Sequence, residues 1–494
     1  MLKILSRPQI KDADDYTITQ EPIPSADLME RAAMACYNFI KDHLDKTKII
    51  NVFCGLGNNG GDGLALARIL FTNDFKPKVF ILKYASKTTP DFDINLERLK
   101  NETKVGVVEL FENTAVPELL KEDVVIDAIF GSGLSKPVRG WLGEIIDMIN
   151  SSKALILSID MPSGFYADIL PQPSEGKIIE ADYTLSFQFP KKAFLFPESD
   201  AFVGNWEVLD IGLHPEFIKN VATNDFFVLE DDVLGNIKPR QKYSHKGNYG
   251  HALLIAGSYG MGGAAVLSAK AAIHSGVGLL SLFIPKALYN ILQSTVPEAM
   301  VHTCDTENHI SGFPDISKYS AIAIGPGIGT HDDTAASLKL LIQQTSRPLV
   351  LDADALNILS ENKTWLAFLP KNTIVTPHPA EFERLAGKSS DSMERHHLQL
   401  EFSRKYHLIT VLKGAHTCVT TPDGKAYFNS SGNPSMATGG SGDVLTGMIV
   451  ALLAQGYSPL NAALFAVYLH GAAGDGAKMM RGHWLTASDI INHI

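Results

Sequence analysis

Cysteine is scarce in this chain of 494 residues: four, at positions 36, 54, 304 and 418, with no close pair. A disulfide framework belongs to small cysteine-dense domains, and a zinc site needs closely spaced Cys or His, so neither organises this fold. Cys36, Cys54, Cys304 and Cys418 read as buried thiols. Positive charge is in deficit too. The balance of 43 basic against 54 acidic residues leaves a formal charge of -11, which argues against nucleic acid or an anionic membrane as partner. Long apolar runs are missing. The weakly charged stretch 253–284 is interrupted by Gly257-Ser258-Tyr259-Gly260-Met261-Gly262-Gly263 and carries Lys270 and His274, so it reads as strand, turn, helix and strand. The opening residues turn polar before an apolar core develops, against a signal peptide, and the expected compartment is the cytoplasm.

Glycine is plentiful, with 40 residues gathered in clusters. Around them, short apolar runs alternate with helical spacing. In the first part these runs are Ile49–Cys54, Lys78–Leu82, Val124–Phe130 and Ala154–Ile159, with helices expected at Ala26–His43 and Leu64–Asn73. The second part repeats the pattern at His251–Ala256, Gly278–Ile284, Ala321–Ile324, Pro348–Leu351, Thr373–Val375 and Ile409–Leu412, with late helices at Asp443–Gln455 and Ser458–Ala472. Continuous apolar strands separated by helices predict parallel sheets covered on both faces, hence an α/β protein. Length favours more than one domain, and the irregular stretch between Gly212 and Pro239 puts the boundary near residues 215–230.

The first cluster, Gly55-Leu56-Gly57-Asn58-Asn59-Gly60-Gly61-Asp62-Gly63, lies between a strand and a helix, where backbone N–H groups face a ligand above the strand end. It has neither the dinucleotide fingerprint nor the P-loop lysine, and it also suits a tight turn. Two further strand ends carry Asp127 and Asp160, followed by Gly131-Ser132-Gly133-Leu134-Ser135-Lys136-Pro137 and by Pro162-Ser163-Gly164. Neighbouring parallel strands converge on one crevice. Asn59, Asp127 and Ser163 offer oxygens suited to a hard monovalent cation. Asp160, at a shielded strand end, is the candidate acid/base.

The second cluster, Thr438-Gly439-Gly440-Ser441-Gly442-Asp443, runs straight into an apolar helix. A capping role alone explains Asp443 but not the glycines before it. An anion hole beside a catalytic Asp443 explains both. Five other strand ends join it, including Gly257–Ala264, Gly325–Gly329 and the acidic pair Asp352 and Asp354. His378, held between two prolines, is placed to hydrogen-bond a ligand, and Lys413-Gly414-Ala415-His416-Thr417 closes the set. Asp352, Asp354 and Glu381 are weaker candidates for the neighbourhood of a metal.

The motifs Asn58–Gly63, Gly131–Leu134 and Asp160–Gly164 resemble the NAD(P)H-hydrate epimerase family, over most of residues 1–215. The motifs of the second half resemble the ADP- or ATP-dependent NAD(P)H-hydrate dehydratases, over roughly 225–494. Together they resemble the bifunctional NAD(P)H-hydrate repair enzymes. The resemblance implies a Rossmann-like α/β/α domain over 1–220 and a ribokinase-like α/β domain over 225–494. In the first it implies that Asn58, Asn59, Gly60, Gly61, Asp62, residues 131–137 and Asp160 contact the hydrate. It also implies that Asn59, Asp127 and Ser163 hold potassium. In the second it implies that Ala264, Gly327, His378 and Asp443 meet the hydrate. Lys413, Gly414, Ala415, His416, Thr417 and Gly442 would hold ADP or ATP with magnesium. Ala380 departs from the family, which usually has Gly there. The implied partners are NADH and NADPH hydrates and an adenine nucleotide, and a symmetric homo-oligomer is expected. The rival reading is a small-molecule kinase fused to a non-catalytic binding module. A conventional dehydrogenase is disfavoured by the missing fingerprint.

Overall fold

The apolar run Ile49–Cys54 is a strand, buried along all but its first residue, and it starts the sheet of the first half. A computed structural model describes residues 1–494. The chain divides into two units, Leu2–Thr223 and Asn224–Ile494, the second also taking in Met1.

In the first unit, Ile49–Cys54 pairs in parallel with Lys76–Leu82 on one side and Val124–Ala128 on the other. Gly106–Leu110 lies beyond the former; Leu155–Ile159, Tyr183–Phe187 and Asn205–Leu209 follow the latter, giving a seven-stranded parallel sheet. Alternate side chains feed two layers. Val52, Cys54, Val79, Ile81 and Ile126 pack with the helices Ser25–His43 and Asn58–Thr72, whereas Phe53, Phe80, Leu82 and Val125 pack with Trp141–Ser151. Because the strand order runs outward in both directions from Ile49–Cys54 and Val124–Ala128, the loops after them part and leave a crevice.

In the second unit, His251–Ile255 pairs in parallel with Leu279–Ile284, which pairs with Met300–Thr303. On its other side lie Ala321–Ile324, Leu349–Leu351, Ile374–Val375 and Ile409–Leu412, all parallel. The hairpin Cys418–Thr420 and Ala426–Asn429 adds two antiparallel pairings, and Asp225–Val228 pairs in parallel with its second strand. Here the order switches between His251–Ile255 and Ala321–Ile324, which opens the second crevice. The helix Ser441–Ala454 is buried continuously from Val444 to Ala454, as a helix apolar all round must be.

Two helix boundaries differ from expectation. The helix expected at Leu64 begins at Asn58, taking the glycine cluster into its first turns, and the one expected to end at Ala472 continues to Arg481. Glycine disfavours helices, but here close packing overrides propensity. A methyl group on Gly60 would lie 2.0 Å from the Gly55 carbonyl oxygen, and one on Gly474 would lie 2.2 Å from the Met436 sulfur.

Two candidate active sites

In the first crevice, Asn58, Asn59 and Asp62 line a cleft of about 960 Å³ together with residues 131–137 and Asp160. Gly60 and Gly61, expected against the ligand, do not line it. They are buried, Gly60 against Gly55 and Gly61 against the Met29 side chain. The cluster is thus a tightly packed helix start, and the members of it that line the cleft are Gly57, Asn58, Asn59 and Asp62.

Asp160 ends its strand with φ of 63°, a left-handed conformation that is strained for a residue with a side chain. Its Oδ1 pairs with Lys191 Nζ at 2.9 Å, and its Oδ2 accepts from Ser132 N–H at 3.1 Å. Lys191 is fully buried. Two more carboxyls stand with Asp160. Asp14, on the helix Arg7–Gln20, also lines the cleft, and its pKa is raised to about 7 by burial and then by Asp160, with Lys191 partly offsetting. Burial and the charges of Asp160 and Asp14 push Asp62 up as well. Arg7 steadies the opposite wall by donating to the carbonyls of Gly133 and Leu134.

Beneath the cleft, the fully buried Asp127 takes hydrogen bonds from hydroxyls and N–H groups. Ser158 Oγ and Ser163 N donate to Oδ2 at 2.8 Å each, while Ser163 Oγ and Ile129 N–H donate to Oδ1. Burial raises its pKa, and these hydrogen bonds pull it back. Ser163 Oγ also accepts from Phe130 N–H at 2.8 Å. The Asn59 amide is buried with neither its nitrogen nor its oxygen partnered. Next to Phe130, Gly131 is bounded by Asn59 and Asp160, where a Cβ would come within 3.2 Å of both side chains. Asn59, Asp127 and Ser163 therefore converge on the turn Phe130–Gly131. One buried carboxylate, neutral oxygens and an orphaned amide fit a monovalent cation.

In the second crevice, Gly440 caps the helix Ser441–Ala454 with φ of 89°, and a Cβ there would meet the Leu267 side chain at 2.4 Å. Asp443 lies in the first turn. Burial, with the charges of Asp352 and Asp354 adding and Lys413 offsetting, raises its pKa to about 6. Asp352 is buried and committed on both oxygens, to Lys413 Nζ at 2.9 Å and to Thr446 Oγ1 at 2.6 Å. Lys413 Nζ lies 3.2 Å from where a Cβ of Gly442 would be, which brings the 413 and 442 loops together. Ser441 Oγ hydrogen-bonds His470 Nε2 at 3.2 Å, and burial drives the His470 pKa down to about 4, so the imidazole stays neutral.

Ala264 and Gly327 meet, since a Cβ on Gly327 would come 3.0 Å from that of Ala264. Gly329 N–H donates to Asp354 at 2.9 Å, tying that loop to the acidic pair. His378 is the N-cap of the helix Pro379–Ala386. Its Nδ1 accepts from Ala380 and Glu381 N–H, and the Glu381 carboxylate accepts from His378 N–H at 2.8 Å, so Glu381 is spent on the cap. The half-exposed His378 ring turns its Nε2 to Glu381 Oε1, 3.4 Å away. Ala380 sits in a helix and is exposed, where a methyl group is welcome. Lys413 N–H donates to Pro377 O at 3.0 Å, which sets the 413–417 turn beside His378. Thr417 Oγ1 closes that turn onto Gly414, His416 turns to the Asn429 carbonyl, and Gly414 and Ala415 stay exposed.

Lys191, Asp14 and His470 stand in these crevices without a motif in the sequence to mark them. Lys191 follows the strand Tyr183–Phe187, whose buried Thr184 and Ser186 disguise it as polar. Asp14 sits in a helix with few apolar residues, and His470 in one rich in alanine.

Residues 252–494 match the family model described as NAD(P)H-hydrate dehydratase, and residues 25–193 match the one described as YjeF-related protein N-terminus. The bifunctional NAD(P)H-hydrate repair enzyme Nnr of Moorella thermoacetica is 33% identical over 99% of this chain and 96% of its own length. Its counterpart in Coxiella burnetii is 33% identical over 98% and 97%, and that of Escherichia coli K12 is 32% identical over 91% and 84%. A crystal structure of the ADP/ATP-dependent NAD(P)H-hydrate dehydratase from Bacillus subtilis, co-crystallised with ATP/Mg2+, is 32% identical and covers 55% of this chain and 97% of that one, with a TM-score of 0.48. The first unit is a Rossmann-like α/β/α domain and the second a ribokinase-like α/β domain. On this full-length likeness, the chain belongs to the family of bifunctional NAD(P)H-hydrate repair enzymes.

Proposed function

We propose that this chain repairs hydrated NADH and NADPH. Residues 1–220 interconvert the R and S epimers of the hydrate. Residues 225–494 dehydrate the S epimer to NAD(P)H at the expense of ADP or ATP, through a phosphorylated intermediate. The observation that carries this reading is the likeness to two-activity repair enzymes along almost the whole chain.

Epimerisation breaks and re-forms a bond at the hydrated ring carbon, and Asp160 is the group that moves the proton. Lys191 and Ser132 N–H fix its two oxygens, so the carboxyl is oriented before the ligand arrives. Asn58, Asn59, Asp62 and residues 131–137 hold the hydrate in the cleft. Asn59, Asp127 and Ser163 would hold a potassium ion. Its chemistry is a fixed positive charge under the Phe130–Gly131 turn.

Dehydration faces a poor leaving group, hydroxide, which phosphorylation converts into a good one. Asp443 takes the proton of the ring hydroxyl, whose oxygen receives the phosphoryl group of the nucleotide. The ring-nitrogen lone pair then expels phosphate to leave a ring iminium, and loss of a proton from the adjacent ring carbon restores the dihydronicotinamide. The N–H groups around Ser441 and Gly442 stabilise the phosphoryl charge. Ala264, Gly327 and His378 border the hydrate, and Lys413–Thr417 with Gly442 hold the nucleotide. Magnesium supplies charge neutralisation on the phosphates. Asp354, whose carboxylate accepts only from Gly329 and Asn357 N–H groups, is the acidic side chain that would hold it. No helix is long and apolar enough to cross a membrane, and a cytoplasmic homo-oligomer fits the reading.

Purified protein given NADH hydrate, ADP and magnesium should restore NADH absorbance with one phosphate released per NADH. A phosphorylated product that accumulates without NADH would instead establish a small-molecule kinase.

A further inference from the structure

Outside both crevices, one group of side chains is assembled without a role in the chemistry above. His309 follows the strand Met300–Thr303, and His331 and Asp333 open the helix Asp332–Gln344. Each offers one ligand atom, and those atoms lie within 4.8 Å of one another. His309 Nε2 is 3.0 Å from Asp333 Oδ2, and His331 Nδ1 is 3.7 Å from the same oxygen. The two imidazoles stack at 3.8 Å between centroids, 18° from parallel.

We propose that His309, His331 and Asp333 bind a first-row divalent transition-metal ion, zinc above all. Two imidazoles and one carboxylate select zinc, nickel or copper over magnesium or calcium, and three protein ligands leave a fourth position for water. The present spacing is looser than a tetrahedral zinc site, whose ligand atoms stand about 3.3 Å apart at bond lengths of about 2 Å. Closing it needs only side-chain rotation, because His331 and Asp333 are more than half exposed. The stacked rings run their lone pairs side by side, so His331 is the ring that turns. Its Nδ1 now accepts from Asp333 N–H as the helix N-cap. Metal on either nitrogen ends that role, since a ring ligated at Nε2 must carry its proton on Nδ1. Giving up such a cap costs roughly tenfold in affinity or less, which three ligands overcome.

The ion would join two segments that border the second crevice. Asn308 O accepts from Tyr259 N–H at 2.8 Å, so the His309 loop supports the glycine turn leading to Ala264. On the other side, Gly327 and Gly329 precede His331 within a few residues.

The test is isothermal titration of the full-length chain, with any purification tag removed and excess magnesium present, using zinc and then cobalt. One ion per chain is expected at micromolar zinc, with a tetrahedral absorption band for cobalt. His309→Ala and Asp333→Asn should each weaken binding by at least about tenfold while metal-free melting temperatures stay unchanged. Absence of binding up to millimolar zinc overturns the proposal. So does binding of undiminished affinity in both variants, because the ion then sits elsewhere.

Discussion

A base must be ionised to act, and burial sets where that happens. Asp443, raised to about 6, is ionised at neutral pH and loses its charge just below it. The dehydration rate at saturating hydrate should therefore fall about tenfold per pH unit below about pH 6. Asp443→Asn should lower that rate by about 10³-fold or more while hydrate binding stays within a few-fold, read by single-turnover NADH absorbance. Asp14 illustrates the stability side of the same physics. Its folded pKa of about 7 exceeds the ordinary 3.8, so between those values the native state keeps a proton that the unfolded chain has released. Stability must then decline as pH rises through that window and level off above about 7. Asp14→Asn, which never ionises, should melt higher than the parent at pH 8, and the gap should close as pH falls towards 4.

Strands were readable in the sequence, and helix boundaries were not. Strands such as Ile49–Cys54, Ala321–Ile324 and Ile409–Leu412 were legible to the residue, because both faces of a parallel sheet are buried and the run is continuously apolar. Strand ends then pointed to Asp127 and Asp160, and a glycine-rich helix start to Asp443, without knowledge of the fold. Glycine was where the reading failed, in both units and for one reason. Propensity counts what a glycine costs its own helix, whereas Gly60, Gly63 and Gly474 serve contacts with residues distant in sequence or across a turn. A Cβ on Gly63 would approach that of Ala128 to 2.6 Å, and one on Gly474 would approach the Met436 sulfur to 2.2 Å. Gly60→Ala should consequently destabilise the first unit by about 2 kcal/mol or more in urea unfolding, despite alanine's better propensity. Gly57→Ala, with open space around its Cβ position, is the control and should cost well under half of that. Equal costs would mean that the close approach of Gly60 to Gly55 is not what demands glycine there. Lys191 was invisible for a different reason: it follows a strand whose Tyr183, Leu185 and Phe187 alternate with Thr184 and Ser186, the pattern of a half-exposed strand, whereas Thr184 and Ser186 are buried and donate to the Val203 and Phe189 carbonyls.

At the scale of the whole chain, the two sites differ in how they manage charge, and that difference can be tested with salt alone. The dehydratase crevice balances Asp352 with Lys413, as the epimerase cleft balances Asp160 with Lys191. Under the epimerase cleft, Asp127 is buried with only hydroxyl and N–H donors, and the Asn59 amide lies nearby unpartnered. On the proposal that Asn59, Asp127 and Ser163 hold potassium, the positive charge there would come from solution, and a small, strongly hydrated or bulky cation would replace potassium poorly. Exchanging potassium for lithium or tetramethylammonium at constant ionic strength should therefore slow epimerisation by about tenfold or more, leaving S-hydrate dehydration within about twofold. With a mixed-epimer sample, the S half should regain NADH absorbance at its usual rate and the R half should lag. Asp160→Ala should produce the same biphasic trace in potassium. If both phases slow together when potassium is withdrawn, the cation acts on the nucleotide site, and the assignment of Asn59, Asp127 and Ser163 fails.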